Sequence, residues 1–204
     1  RAAAALARQG QPEAFTLLTR FVRDPDDSLR MQALEALGHL GNPDVAPALR
    51  PALQDSNPYV RIYAAEALAR LGEPLGREVL RQVLRHPSRS VAMYAAEALS
   101  NLGDASGAPR LVEALGPGQD LSARLYAAWT LARLGDLRGK PILDELLQHD
   151  EVQVRMQATW TLGQMGDGVG AGSLRRALTD EARPVRLQAA WALATKLGGQ
   201  RPGG

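Results

Sequence analysis

The chain has 204 residues, no cysteine, 24 lysines and arginines against 22 aspartates and glutamates, and only 4% aromatic residues. That composition excludes disulfides, thiolate metal sites and a cysteine nucleophile, and its basic residues are spread along the chain without the block that marks a nucleic-acid surface. No run of about 18 apolar residues is present to span a membrane, and the alanine-rich start lacks the basic n-region and apolar core of a signal peptide, so a cytoplasmic location is expected. The first residue is Arg1 and not methionine, as in a trimmed chain or a domain cut from a longer one.

In chain order, AAAALARQG (2–10) reads as the second helix of a repeat whose first helix is missing. Six full repeats follow, each closed by a glycine. The closing glycines, Gly10, Gly41, Gly72, Gly103, Gly135, Gly166 and Gly198, are 31 or 32 residues apart. The second helix of each repeat ends in one form of block: LRMQALEALGHLG (29–41), VRIYAAEALARLG (60–72), VAMYAAEALSNLG (91–103), ARLYAAWTLARLG (123–135), VRMQATWTLGQMG (154–166) and VRLQAAWALATKLG (185–198). Between blocks runs a shorter helix with apolar residues four apart, from Leu18/Val22 and Leu49/Leu53 to Leu143/Leu147 and Leu174/Leu178, a spacing that places both on one face. Asn42, Glu73, Asp104, Asp136 and Asp167 follow the closing glycines and are expected to help cap the next helix. Pro43, Pro47, Pro74, Pro109 and Pro141 fall in its opening turn, where a missing N–H costs least.

A helix pair of this length cannot bury both apolar faces alone, so the pattern predicts a stacked array. The expected fold is all-α: a right-handed α-α superhelix of the HEAT/armadillo kind over 1–198, with 199–204 as a flexible tail. Ala64/Ala67 and Ala95/Ala98 are expected to let neighbouring second helices approach closely. Arg30, Arg61, Arg124, Arg155 and Arg186 open the second helices, and Asp24, Asp55 and Asp180 lie six residues before three of them. Such an aspartate can meet the arginine of its own or the adjacent repeat. The ladder breaks where His86 precedes Ala92 and Gly118 precedes Arg124, and a looser third repeat is expected there.

The D-x5-R spacing and the form seen in SLRMQALEALGHLGN, YVRIYAAEALARLGE and QVRMQATWTLGQMGD resemble the HEAT-like repeats named after the phycobilisome lyases. The resemblance covers about residues 2–198 and implies the fold; the same repeat serves bilin lyases, iron-dependent hydroxylases and adaptor proteins. The hydroxylases carry His-Glu pairs as metal ligands, whereas His39, His86 and His149 are followed here by leucine, proline and aspartate, so no metal is expected. Helical-repeat proteins of the DNA-glycosylase type carry a cationic groove, a poor match to the glutamates described next. RLYAAWTLARLG (124–135) resembles the tyrosine- and tryptophan-containing helices of bilin lyases, which bind a linear tetrapyrrole and pass it to a cysteine of an acceptor protein.

Four positions of the second helix are expected on the concave face. The first is apolar throughout (Met31, Ile62, Met93, Leu125, Met156, Leu187) and reads as packing between second helices. The second is Gln32, Tyr63, Tyr94, Tyr126, Gln157 and Gln188; the third is Glu35, Glu66, Glu97, Trp129, Trp160 and Trp191; the fourth includes Arg70 and Arg133. Two readings stand side by side: the aromatics are space-filling copies retained by duplication, or they form a binding stripe. A register that accepts glutamate three times favours the stripe, because a buried core position does not readily hold a carboxylate.

The resulting expectation is a scaffold or adaptor, binding a helix or extended segment of another protein across Tyr63, Tyr94, Tyr126, Trp129, Trp160 and Trp191. Glu35, Glu66 and Glu97 would favour a basic or amide-rich segment at the N-terminal half. The alternative is a bilin lyase or tetrapyrrole-binding chaperone, with the aromatics clamping the chromophore and Arg70 or Arg133 pairing with its propionates. No cofactor and no catalytic residue of the chain's own is expected in the first reading; a linear tetrapyrrole is the substrate in the second. GDGVGAGS (166–173) lacks the lysine and preceding strand of a phosphate loop and reads as a turn.

Overall fold

The computed structural model describes residues 12–165 and 168–197. The half repeat at 2–10, Gly166, Asp167, Gly198 and the tail at 199–204 lie outside the described residues. Two compact units divide the chain, Arg1–Gly107 and Ala108–Gly204.

In the N-terminal unit the helix pairs are α1 (Pro12–Phe21) with α2 (Asp27–Leu40), α3 (Ala46–Leu49) with α4 (Pro58–Arg70), and α5 (Pro74–Val83) with α6 (Arg89–Asn101). In the C-terminal unit they are α7 (Ala108–Ala114) with α8 (Leu121–Arg133), α9 (Lys140–Leu146) with α10 (Val152–Gln164), and α11 (Ala171–Ala177) with α12 (Arg183–Leu197). The all-α helix-pair solenoid predicted from the repeat is what each unit builds: α2 packs on α4 and α4 on α6, and likewise α8 on α10 and α10 on α12.

The first helices are the shorter ones, and proline explains the shortest. Pro43, Pro47 and Pro51 stand four residues apart at successive segment starts, so Pro43–Gln54 runs as 3₁₀, one turn of α-helix, then 3₁₀ again. Each ring removes a donor that a continuous helix would need. At the other end of the pair, Gly41, Gly72, Gly103 and Gly135 all take positive φ. The N–H of the residue after each of the last three returns to a carbonyl of the final turn, as Glu73 N does to Leu68 O at 2.9 Å, closing the helix with a left-handed residue. Asn42, Asp104 and Asp136 cap the following segment through backbone N–H groups two residues on. Glu73 makes no such bond; its carboxylate accepts from Arg50 at 2.7 Å instead.

The core is a leucine–alanine seam. Leu34, Leu37, Leu49, Leu68, Leu80 and Leu99 are buried in the first unit, and Leu111, Leu131, Leu143, Leu162 and Leu174 in the second. Ala64, Ala67, Ala95 and Ala98 are buried as the close approach of second helices requires; a Cβ on Gly38 would stand 2.8 Å from Ala67 Cα. A second glycine series, Gly76, Gly107, Gly139 and Gly170, recurs at the same period and marks where the next segment touches the second helix. A Cβ on Gly76 would meet Ala65 O at 2.2 Å, and one on Gly139 would meet Ala128 Cα at 2.8 Å.

The arginine ladder resolves into two kinds of contact. Arg30, Arg61, Arg155 and Arg186 each donate Nη1 to two carbonyls of their own turn, for example Arg155 to His149 O at 2.7 Å and Asp150 O at 3.0 Å. The following repeat supplies a carboxylate, Asp55 for Arg30 and Asp180 for Arg155, and Arg30 also pairs with Asp27 of its own helix. The same aspartates accept a turn N–H of their own, Asp55 from Asn57 and Asp180 from Ala182. At two of the three turns that lack the aspartate an imidazole takes over that acceptor role: His86 Nδ1 receives Ser88 N and His149 Nδ1 receives Glu151 N, each at 3.1 Å. Arg124 pairs instead with both carboxylate oxygens of Glu145.

Candidate functional site

The register positions fall into one set in each unit. The first register position behaves as packing in the interior of each unit: Ile62, Met93 and Leu125 are buried, Met31 and Met156 half-buried. Leu187 differs, with 73% of its surface exposed, because no later second helix among the described residues covers α12.

In the N-terminal unit, Glu35 on α2, Tyr63 and Glu66 on α4, and Tyr94 and Glu97 on α6 come together. Burial pushes the Tyr63 phenol up from its ordinary value, and the charges of Glu35, Glu97 and Glu66 push it further. Glu66 receives Arg70 Nη2 at 2.7 Å one turn along its own helix, and Asn101 Nδ2 at 3.1 Å from α6. Arg70 is therefore already ion-paired. Tyr94 is 42% exposed and meets Tyr59 edge to face, ring centroids 5.2 Å apart. Tyr59 was not legible as a site residue, since its repeat position is otherwise Ser28, Ser90, Ser122, Gln153 and Pro184 and no recurrence marks it.

In the C-terminal unit, Tyr126 and Trp129 lie three residues apart on α8 with ring centroids 5.9 Å apart. Trp160 on α10 stacks over Trp129 at 6.3 Å, the planes inclined by 29°. The guanidinium of Arg133 sits 4.9 Å from the Trp129 ring centroid, within cation–π range. Trp129 is half-buried by these neighbours, whereas Trp160 and Trp191 are 41% and 59% exposed. Both sets lie on the second helices, exposed at Glu35, Tyr94, Trp160 and Trp191 and half-buried at Tyr63, Glu66, Glu97 and Trp129.

Two other polar clusters are structural. A cleft of about 400 Å³ is lined by His149, Asp150, Arg155, Asp180 and Glu181, but the donors of Arg155 are committed to the ladder. Buried Ser173 hydrogen-bonds Asp144, which also takes Lys140 and Arg176, a tie between α9 and α11. Among the described residues no group of three or more histidines and carboxylates is placed to hold a metal, and no helix is long and apolar enough to cross a membrane.

Helix pairs that stack second helix on second helix and carry their variable residues on that face define an α-solenoid repeat protein. The profile of the family described as HEAT repeats matches residues 1–57, 46–121 and 117–194, and the chain belongs to that family. No curated protein matches it in sequence. Its fold is phycobilisome-lyase-like, similar to the complex of CpcE and CpcF of phycocyanin lyase from Nostoc sp. PCC7120 at 24% identity and a TM-score of 0.54, covering 88% of this chain and 76% of that one. It is also similar to Escherichia coli YibA, at 19% identity and a TM-score of 0.53 over 88% of this chain and 69% of that one. An engineered protein matches at 21% identity and a TM-score of 0.50 over 91% of this chain and 97% of that one. At these identities the likeness is one of fold.

Proposed function

We propose that the chain is a binding module that holds a helix or extended segment of another protein on the exposed face of its second helices. The observation that supports this is the exposure of Tyr94, Trp160 and Trp191 at positions where the fold itself accepts glutamine or glutamate in other repeats. Packing does not require a large ring there. Leaving such rings in water forgoes the burial free energy that a partner would recover, and tyrosine and tryptophan suit the centre of an interface because the ring packs while its tip finds a hydrogen bond. Peptide display against the full chain and against Trp160→Ala/Trp191→Ala tests it: peptides are expected to bind the former and be lost from the latter. Peptides that bind both equally would place the interface elsewhere.

The near-parallel Trp129 and Trp160 rings with Arg133 beside them favour a second reading, a flat acidic ligand such as a linear tetrapyrrole, and the likeness to a phycocyanin lyase structure supports it. Arg133, whose guanidinium lies 4.9 Å from the Trp129 ring centroid, is then the group nearest the rings for a propionate. Titration with a bilin separates the readings. Saturable quenching of tryptophan emission with a new visible absorbance band, both lost in Tyr126→Ala/Trp129→Ala, would favour the tetrapyrrole; unchanged, readily quenched emission would leave the protein partner.

A further inference from the structure

We infer that the outer face of α12 pairs two copies of this chain, α12 against α12 about a two-fold axis. The inference stands apart from the second-helix binding face. At roughly 100° per residue, Leu187, Ala190 and Ala194 fall on a different side of α12 from Gln188, Trp191 and Thr195.

In every earlier repeat the same face is covered. The residues in register with Ala190 are Leu34, Ala65, Ala96, Ala128 and Thr159, and all five are shut off from solvent. Those in register with Leu193 are Leu37, Leu68, Leu99, Leu131 and Leu162, equally buried. On α12 these positions open: Ala190 and Ala194 are exposed, Leu193 is half-buried, and Leu187 is the most exposed large apolar residue among the described residues. A stacked array needs a polar outer face where it meets water, and this stripe carries no polar side chain. It forgoes the burial that its counterparts gain.

Contacts inside the array define what fits. The register of Ala194 is where second helices touch: a Cβ on Gly38 would stand 2.8 Å from Ala67 Cα, and one on Gly163 would stand 3.0 Å from Ala192 Cβ. The register of Ala190 takes the glycine of the next segment, with a Cβ on Gly139 2.8 Å from Ala128 Cα. The occupant is therefore an uncharged helix face with alanine or glycine at the closest approach. α12 of a second copy is such a face, whereas the counterparts of Ala190 on the other second helices are buried already. The face is also self-complementary, as a two-fold interface requires. With the axis between Ala190 and Trp191, antiparallel helices set Leu187 of each copy opposite Ala194 of the other, large against small. The same crossing carries the two Arg183 side chains, exposed at the start of α12, to opposite ends; a parallel pairing would bring these like charges together.

Sedimentation equilibrium of the full chain tests the inference. The mass is expected to rise from one chain toward two over about 1–500 µM. Leu187→Glu should hold it at one chain throughout, and Leu75→Glu, at an exposed leucine of α5, should leave pairing unchanged, with melting curves confirming that each variant is folded. The chain has no cysteine, so Ala190→Cys can form a disulfide only between copies. Mild oxidation is expected to convert most of it to a covalent dimer, and adding Leu187→Glu should abolish that product. A single mass up to the highest concentration overturns the inference. So does a dimer that survives Leu187→Glu, or one that Ala190→Cys fails to cross-link, since either would place the contact elsewhere. Loss of the display peptides that need Trp160 and Trp191 would bear on the other face alone.

Discussion

The indole of Trp160 lies over that of Trp129 with centroids 6.3 Å apart, on successive second helices whose buried residues are chiefly alanine, leucine and threonine. The pair is an addition to the seam and not its foundation. Trp160→Ala should therefore cost only about 0.5–1.5 kcal/mol, the worth of an aromatic pair, read from urea unfolding midpoints, while acrylamide quenching of the remaining tryptophans rises. A loss of the size seen for buried tryptophans, about 3–5 kcal/mol, would make Trp160 a core residue and remove it from the binding face.

Gly76 stands where α5 begins against α4, and a methyl group there would press on backbone atoms of Ala65 and Ala69, which cannot rotate away. Gly76→Ala is expected to destabilise by about 1–3 kcal/mol. Gly172 on α11 has no atom within 4 Å of the corresponding methyl position, so Gly172→Ala should stabilise by about 0.5–1 kcal/mol through helix propensity. Paired denaturation curves of the two variants check whether the difference follows space, as argued, or glycine content alone.

Burial alone would raise the Asp180 carboxyl, but hydrogen bonds from Arg155 and from the Ala182 N–H, with the charges of Arg155 and Arg186, outweigh it and hold the group below its ordinary value. A carboxyl depressed in the folded state contributes stability that is complete above its unfolded value, about 3.9, and is lost as pH falls through the lower folded value. The melting temperature should accordingly fall below about pH 4. Asp180→Asn should start lower at pH 7 and show a shallower acid decline; parallel curves for the two proteins would assign the acid loss to other groups.

His86 already accepts the Ser88 N–H as an aspartate does in the neighbouring repeat, but it brings no carboxylate to Arg61. His86→Asp should keep the turn bond and reproduce the Arg30–Asp55 relation one repeat on, raising stability by up to about 1 kcal/mol. Calorimetry reads this directly, and a lowered melting temperature would show that the turn at His86 is shaped for an imidazole.

The repeat length, the helix pairs, the closing glycines and the register of Glu35, Tyr63, Trp129 and their equivalents were legible in the sequence, because these depend on local chemistry and on a period that any self-comparison reveals. It took the stacked helices to show that Asp55 serves the arginine of the preceding repeat while its own repeat's arginine takes backbone carbonyls, that Tyr59 meets Tyr94, that Arg70 is occupied by Glu66, and that Gly76 is a contact point. Each of these depends on the distance between stacked helices, a quantity set by how their side chains interlock and absent from spacing along one chain.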